Sequence, residues 1–305
     1  MPSATPPCTD TAEDEGRYLA LRTRDARFDG QFFTGVTSTG IYCRPVCAVR
    51  TPRRENCRFF ALAAQAESAG FRPCLRCRPE VAPQALAWSV QDATTILVQQ
   101  AVRLLDASEA WGDGQGTTAA QLAQRLGVSD RHLRRIFEAA LGISPLQYLQ
   151  TRRLLTAKQL LTDTAMPVTQ VALASGFGSV RRFNAAFAQH YGLNPTRLRS
   201  AGTAPGTAHR GSVRLAYRPP FDAAALLAFF AQRQFEGVEW AQADDALTLR
   251  RTVRLSVGAQ CVTGWLAARF DTQRHLVLLD TSESLHPVLP QVIARVRALL
   301  DLDAD

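Results

Sequence analysis

The sequence predicts a multidomain α+β protein: a small four-cysteine domain, an all-α domain with a double helix-turn-helix, and an α+β domain with an antiparallel sheet. Three observations predict it: two short cysteine pairs, a helical repeat at an offset of 50 residues, and alternating apolar residues after residue 212. The chain has 305 residues, of which 46% are hydrophobic and 20% charged. This composition provides enough apolar mass for several small cores.

Breaks in composition divide the chain into these parts. The first 16 residues are rich in proline, threonine and acids, so we expect residues 1–16 to be disordered. Turn-forming residues at 108–116 predict a break, and the Gly, Ala and Ser content of 200–212 predicts a flexible linker. The predicted domains are therefore 17–82, 83–199, which begins with a connecting helix near 83–107, and 213–305.

The basic charge is concentrated in two segments. The net charge is +8, residues 40–80 hold eight arginines against three acids, and residues 117–199 hold eleven basic residues against three acids. Such clusters suit a polyanion such as DNA, although the chain's general preference for arginine could contribute. No apolar run of 18 residues and no secretory pattern are present, so we expect a cytoplasmic, nucleoid-associated protein without a membrane partner.

The cysteine pairs predict a Zn²⁺ site. Cys43-Arg-Pro-Val-Cys47 is followed after 26 residues by Cys74-Leu-Arg-Cys77, and four thiolates on two turns suit tetrahedral zinc. An odd count of seven cysteines argues against a disulfide framework. From spacing alone a closed structural site is favoured. The other reading is a reactive site, because a zinc-bound sulfur stays a thiolate, and its alkylation would reduce repulsion from phosphate.

The segment around the cysteines resembles a known family. The run from Phe32 to Cys47, the triplet Arg54-Glu-Asn56 and the run from Ala69 to Cys77 are similar to the N-terminal domain of the Ada adaptive-response proteins. This resemblance implies that Cys43 takes a methyl group irreversibly from a methylphosphotriester in double-stranded DNA, as a single-turnover methyltransferase. It implies that the remaining zinc ligands are Cys47, Cys74 and Cys77.

The same resemblance indicates contacts to the DNA backbone. They map onto Thr39, Arg50 and Arg72. Ala48 stands where relatives can carry another arginine, so that contact is not expected here. The isolated Cys57 is expected to be a small buried apolar residue, and we assign no role to Cys8 or Cys261.

An internal repeat organises the second domain. Residues 129–137 and 141–145 align with 179–187 and 191–195 at one offset, which is typical of a duplicated supersecondary unit. In each copy a short helix, a glycine turn and a capping serine precede a second helix with buried aliphatic and aromatic residues. This is a helix-turn-helix layout, which presents its second helix to the major groove.

The outer faces of the second helices carry the candidate contacts of this domain. They are Arg131, Arg134 and Arg135 in the first copy and Arg181, Arg182 and Asn184 in the second. A basic cluster can also be a solvated helix face, but the coincidence of repeat, turn and charge favours DNA binding. Residues 90–199 resemble the AraC-type DNA-binding domain, including Gly192-Leu-Asn-Pro195. Because one helix over about 144–163 joins the two units, we expect them to occupy successive grooves, about 34 Å apart.

The third domain is predicted to be α+β. Alternation at Val213, Leu215 and Tyr217 predicts a strand, Asp222 is expected to cap a helix, and a closing helix is expected over 287–300. Residues 215–222 and the order of elements resemble the N-terminal domain of AlkA-type 3-methyladenine DNA glycosylases. In that family the catalytic aspartate and the helix-hairpin-helix follow later, and neither pattern occurs here. The acceptor motif of O6-alkylguanine transferases is also absent.

These observations predict a DNA alkylation-damage response protein. In this hypothesis methyl transfer to Cys43 converts the chain into a sequence-specific activator of repair genes, with RNA polymerase as a further expected partner. Two alternatives stay open. One is a regulator whose zinc is only structural. The other is a 3-methyladenine glycosylase-family base-excision protein that lacks its catalytic helix-hairpin-helix domain.

Overall fold

The computed structural model describes residues 11–83, 93–106, 118–201, 211–244, 246–257 and 260–304. The chain divides into two compact units, one ending at Pro79 and the other beginning at Glu80. The predicted break at 108–116, the segment 1–10 and most of the predicted linker lie outside the described residues. Within the described ranges, no helix is both long and apolar enough to cross a membrane.

The first unit is built on a small sheet. Its strand order is β3-β1-β2-β4, where the strands are β1 (Phe33–Val36), β2 (Ile41–Cys43), β3 (Cys57–Phe60) and β4 (Arg72–Pro73). Strand β1 pairs antiparallel with β2 and β3, and β4 runs parallel to β2. The unit also contains the helices α1 (Thr11–Thr23) and α2 (Ala63–Ser68). Buried residues of α1 pack against Phe32 and Phe59, so a small apolar core supports the unit.

Helix α1 begins inside the segment predicted to be disordered. Glu13 and Asp14 lie in its first turn, where acidic side chains stabilise the helix N-terminus. Arg17 pairs with both of them, and Arg54 lies 3.6 Å from Asp14 and 3.5 Å from Glu15. Residues 11–16 thus form the start of a helix where disorder was expected, because the local Arg17 and the distant Arg54 both offset these acidic charges.

Helices fill the described residues from 93 to 201. They are α3 (Ala93–Asp106), α4 (Ala119–Arg125), α5 (Asp130–Leu141), α6 (Pro145–Asp163), α7 (Val168–Ala174), α8 (Val180–Tyr191) and α9 (Pro195–Ala201). The pairs α4–α5 and α7–α8 form the two predicted helix-turn-helix units, and α6 joins them. Ser129 and Ser179 cap α5 and α8 by accepting a backbone N–H three residues on, at 3.2 Å in both copies. The repeat in the sequence is thus a repeat in structure.

The last part of the chain forms an antiparallel sheet, as predicted. The order is β5-β9-β8-β7-β6, with β5 (Val213–Ala216), β6 (Glu239–Gln242), β7 (Thr248–Val257), β8 (Gln260–Asp271) and β9 (Leu276–Thr281). Asp222 caps α10 (Ala223–Arg233), and α11 (Leu289–Leu299) closes the unit. Strand β6 was not predicted, because among its four residues only Ala241 is buried. The predicted fold class is confirmed.

One continuous hydrophobic core contains residues from both sides of the predicted linker. The same buried cluster contains residues of α6, of α8 and of the sheet: Leu154, Phe183, Phe187, Leu215 and Val277. The backbone N–H of Arg214 donates to Asp163 at 3.1 Å, and the side chain of Gln159 donates to the Arg214 carbonyl at 2.9 Å. The sequence predicted separate domains on either side of 200–212, but the structure packs them as one unit.

Candidate zinc site and DNA-binding surface

The two cysteine pairs meet where β2 and β4 end. Cys43 is the last residue of β2, and Cys74 directly follows β4. Because Tyr42 of β2 lies opposite Pro73 of β4 in parallel register, both cysteines lie at the same end of the sheet. The Cys74 N–H donates to the Tyr42 carbonyl at 2.9 Å. Cys47 lies in the turn after β2, and Cys77 lies in the turn after β4. The four Sγ atoms lie within 4.8 Å of one another.

This geometry fits a zinc ion. Zn–S bonds of about 2.3 Å place tetrahedral ligands about 3.8 Å apart, inside the observed limit of 4.8 Å. Hydrogen bonding with Cys47 raises the pKa of Cys43, and the hydrogen bond with Cys43 lowers the pKa of Cys47 to about 7. The four groups therefore do not all ionise together near neutral pH without a cation. A soft donor set of four sulfurs, three of them from buried cysteines and one from the half-buried Cys77, suits zinc, and the zinc prediction is confirmed.

Arg44 connects the two cysteine pairs. Its backbone N–H donates to Cys77 Sγ at 3.3 Å, and its Nη1 donates to the Cys77 carbonyl at 3.0 Å. The guanidinium also binds Asp29 through two contacts, one of them Nε to Oδ1 at 2.8 Å. The Arg44 and Asp29 side chains are only 8% and 5% exposed. This buried bidentate pair orients a ligand segment, and sequence reasoning missed it, since its only signal was the adjacency of Arg44 to Cys43.

Cys43 also lines a small cavity. The cavity has a volume of about 10 Å³, and its walls are Cys43, Cys47, Leu21, Thr34, Val36, Val49, Thr51 and Pro52. Such a volume is about that of one water probe. Cys43 itself is 6% exposed. Cys43 therefore borders a small space whose walls are mostly apolar.

The predicted backbone contacts of the first unit lie on its surface. Thr39, in the turn between β1 and β2, donates to the Val36 carbonyl at 3.3 Å. Arg72 opens β4, and its N–H donates to the Gly40 carbonyl at 2.8 Å, which brings it close to Thr39. Arg50 follows Cys47 by three residues. All three predicted contacts are exposed, and their roles stay predictions.

The predicted contacts of the helix-turn-helix units lie on the outer faces of α5 and α8. Every one of them is exposed: Arg131, Arg134, Arg135, Arg181, Arg182 and Asn184. The inner faces are buried, with Phe137 and Phe183 at 0% exposure. Arg134 pairs with Asp130 at 3.1 Å on the same helix. The basic side chains thus occupy the face that this motif presents to DNA, although Arg134 already has one carboxylate partner.

Together the fold and site define a class: a zinc-binding protein with a double helix-turn-helix DNA-binding domain. Comparison with family models identifies three families along the chain. The metal binding domain of Ada matches residues 16–80, a helix-turn-helix domain matches residues 122–201, and the AlkA N-terminal domain matches residues 212–305. The resemblances predicted from the sequence are confirmed.

Curated relatives match much of the chain. The chain is 39% identical over 293 residues to the probable bifunctional transcriptional activator/DNA repair enzyme AlkA of Mycobacterium tuberculosis, covering 94% of this chain and 56% of that protein. It is 31% identical over 183 residues to the bifunctional transcriptional activator/DNA repair enzyme AdaA of Bacillus subtilis, covering 60% of this chain and 81% of that protein. The chain spans about half the length of the curated relatives that it first matches.

A solved structure of a methylated N-ADA/DNA complex is 35% identical, with a TM-score of 0.22 over 46% of this chain and 97% of that one. The identities and coverage of the relatives establish the family. The chain belongs to the Ada family, whose curated members are named as bifunctional transcriptional activators and DNA repair enzymes.

Proposed function

We propose that this protein senses alkylation damage in DNA. Cys43 takes a methyl group from a methylphosphotriester of the DNA backbone, irreversibly and once per molecule. The methylated protein then binds promoter DNA through both helix-turn-helix units and, with RNA polymerase as its partner, activates repair genes. One observation carries the proposal: Cys43 of the four-cysteine site lines a small cavity in a chain that also holds two helix-turn-helix units.

The transfer step needs no proton. Bound zinc would keep the four sulfurs as thiolates at neutral pH. The Cys43 sulfur attacks the methyl carbon with a lone pair, so that a C–S bond forms while the methyl C–O bond breaks. The oxygen keeps the bonding electron pair and becomes part of a phosphodiester anion. The apolar walls of the cavity support this step by limiting the water around the sulfur.

Methylation also changes the charge of the site. Zinc with four thiolates is doubly negative, and one thioether makes it singly negative. Two unit charges 4 Å apart interact by about 1 kcal/mol in water and about 4 kcal/mol near a protein surface. Losing one negative charge next to the phosphate backbone therefore strengthens DNA binding. Arg50 and Arg72 are exposed on the same unit. Their positive charges attract the phosphate backbone, and the repulsion that opposes them is weaker after methylation.

The test is methyl transfer from damaged DNA. Zinc-loaded full-length protein is mixed with duplex DNA that carries isotope-labelled methylphosphotriesters, and the labelled peptide and the zinc content are measured. We expect one label per molecule, on Cys43. The Cys43→Ser variant should take up none, whereas Cys261→Ser, an exposed cysteine of the second unit, should behave as the wild type. No label on the zinc-loaded wild type would show that the site is only structural, and full labelling of Cys43→Ser would show that another residue accepts the methyl group.

The regulatory half of the proposal needs a separate measurement. Methylated and unmethylated protein are used to select duplexes from a random-sequence pool, and binding is then compared over a range of salt. We expect the methylated protein to bind its selected site more tightly, and Arg131→Ala or Arg181→Ala to weaken binding. Equal binding by both forms would show that methylation of Cys43 does not control promoter binding. Release of free 3-methyladenine from alkylated DNA would instead support the base-excision alternative.

A further inference from the structure

One hydroxyl group beside Cys43 has no visible role in the fold. Thr34 is 0% exposed, and its Oγ1 has no hydrogen-bond partner among the described residues. Buried hydroxyls in native proteins nearly always have a partner, and an exception points to a missing ion, water or ligand state. Valine has the same shape and would fill the position without this unsatisfied group. The hydroxyl therefore has no acceptor in the conformation that the described residues show.

The register of the sheet points to an acceptor for this hydroxyl. Thr34 of β1 lies directly opposite Cys43 of β2 in the antiparallel pair. Side chains of opposed residues project from the same face, with Cβ atoms about 4.5–5.5 Å apart. Thr34 and Cys43 also line the same small cavity, whose other walls are mainly aliphatic. Rotation about χ1 can thus bring the Thr34 oxygen within hydrogen-bond distance of the Cys43 sulfur.

We propose that Thr34 donates a hydrogen bond to the Cys43 thiolate in the zinc-loaded protein and thereby restrains its reactivity. This inference rests on the function proposed above. A thiolate is a charged acceptor, and hydrogen bonds to charged groups are the strong ones. The bond stabilises the negative sulfur before transfer and weakens as the sulfur gives its electron pair to the methyl carbon. After transfer the thioether is a poor acceptor, so the hydroxyl is released.

Thr34 acts through Cys43 and is a positioning residue. Its hydrogen bond lowers the energy of the thiolate more than that of the transition state, so removing the hydroxyl speeds the attack on carbon. Thr34→Val keeps the shape and deletes the donor. We expect methylation of Cys43 to become roughly three- to tenfold faster, the effect of a modest loss of ground-state stabilisation. Thr34→Ser keeps the donor and should restore a rate close to that of the wild type.

The experiment uses methyl iodide, a small methyl donor that needs no DNA contact. Zinc-loaded full-length protein is treated with methyl iodide, and the methylation rate of the Cys43 peptide is followed by mass spectrometry. The Cys43 thiolate displaces iodide, which leaves with the electron pair. Thr51→Val is the matched control, because Thr51 lines the same cavity but is not paired with Cys43. It should leave the rate unchanged.

A second readout is independent of reactivity. In protein loaded with ¹¹³Cd, loss of a hydrogen bond to a coordinating sulfur should move the cadmium resonance downfield in Thr34→Val but not in Thr51→Val. An unchanged rate and an unchanged resonance in Thr34→Val would overturn the inference. If wild-type Cys43 is not methylated at all, the proposed function has failed. If it is methylated and Thr34→Val matches it, only the role of Thr34 has failed.

Discussion

Asp29→Asn tests whether the buried Arg44–Asp29 pair holds the zinc site together. Asparagine keeps the shape of the side chain but removes the negative charge that faces the guanidinium. Both side chains are less than a tenth exposed, and removing one partner of such a pair typically costs about 3–5 kcal/mol. Because the same guanidinium donates to the Cys77 carbonyl at 3.0 Å, part of this cost should weaken metal binding, by about 10- to 100-fold.

The assay is a zinc competition titration of full-length protein against a chromophoric chelator, with denaturant unfolding measured in parallel. Glu55→Gln is the matched control, because Glu55 pairs with Arg53 at 3.6 Å through side chains that are 71% and 85% exposed. Its loss should cost at most about 1 kcal/mol and leave zinc affinity unchanged. If Asp29→Asn binds zinc as tightly as the wild type and unfolds at the same denaturant concentration, the ion pair does not position the ligands.

Three further predictions concern the second unit, each checked by denaturant unfolding. Lys158→Met should lower the unfolding free energy by about 3–5 kcal/mol, because Lys158 pairs with Glu80 at 2.5 Å through side chains that are 2% and 0% exposed. Adding Glu80→Gln should recover part of this loss, and a double variant with no recovery would contradict this reasoning. Gly264→Ala should lower the unfolding free energy by about 1–3 kcal/mol, because an added Cβ would lie 2.3 Å from Ser282 Oγ. An unchanged denaturation midpoint would mean that the residues around Ser282 move aside at no cost. Ser179→Ala should cost about 1 kcal/mol through loss of the α8 cap, and full stability would show that the cap is redundant.

Local patterns were sufficient for much of the fold. The spacing of Cys43, Cys47, Cys74 and Cys77 predicted a zinc site because a four-sulfur set on two turns has few other uses. The repeat predicted two helix-turn-helix units because helix periodicity, glycine turns and serine caps are all local signals. Alternation after residue 212 predicted the antiparallel sheet for the same reason, but it missed β6, whose short segment has too little burial to show a period.

Contacts between distant segments were not predictable in this way. Residues 11–16 were expected to be disordered from their composition, yet they lie in a helix whose acids pair with the distant Arg54 in addition to the local Arg17. The segment 200–212 indicated a linker, yet apolar residues on both sides of it share one core. In both cases a partner far along the chain outweighed the local composition.

The amino-acid sequence alone determined the identity of the metal, its four sulfur ligands, the repeated DNA-binding motif and the order of the domains, because each depends on residue type and short-range spacing. The tertiary structure decided what surrounds those ligands. It pairs Asp29 with the Arg44 guanidinium and sets Thr34 opposite Cys43 in the sheet. Such contacts depend on strand register and burial, which arise only when segments far apart in the chain pack together. We expect the Asp29–Arg44 pair to affect how tightly the sulfurs hold zinc, and by our inference Thr34 affects how readily Cys43 reacts.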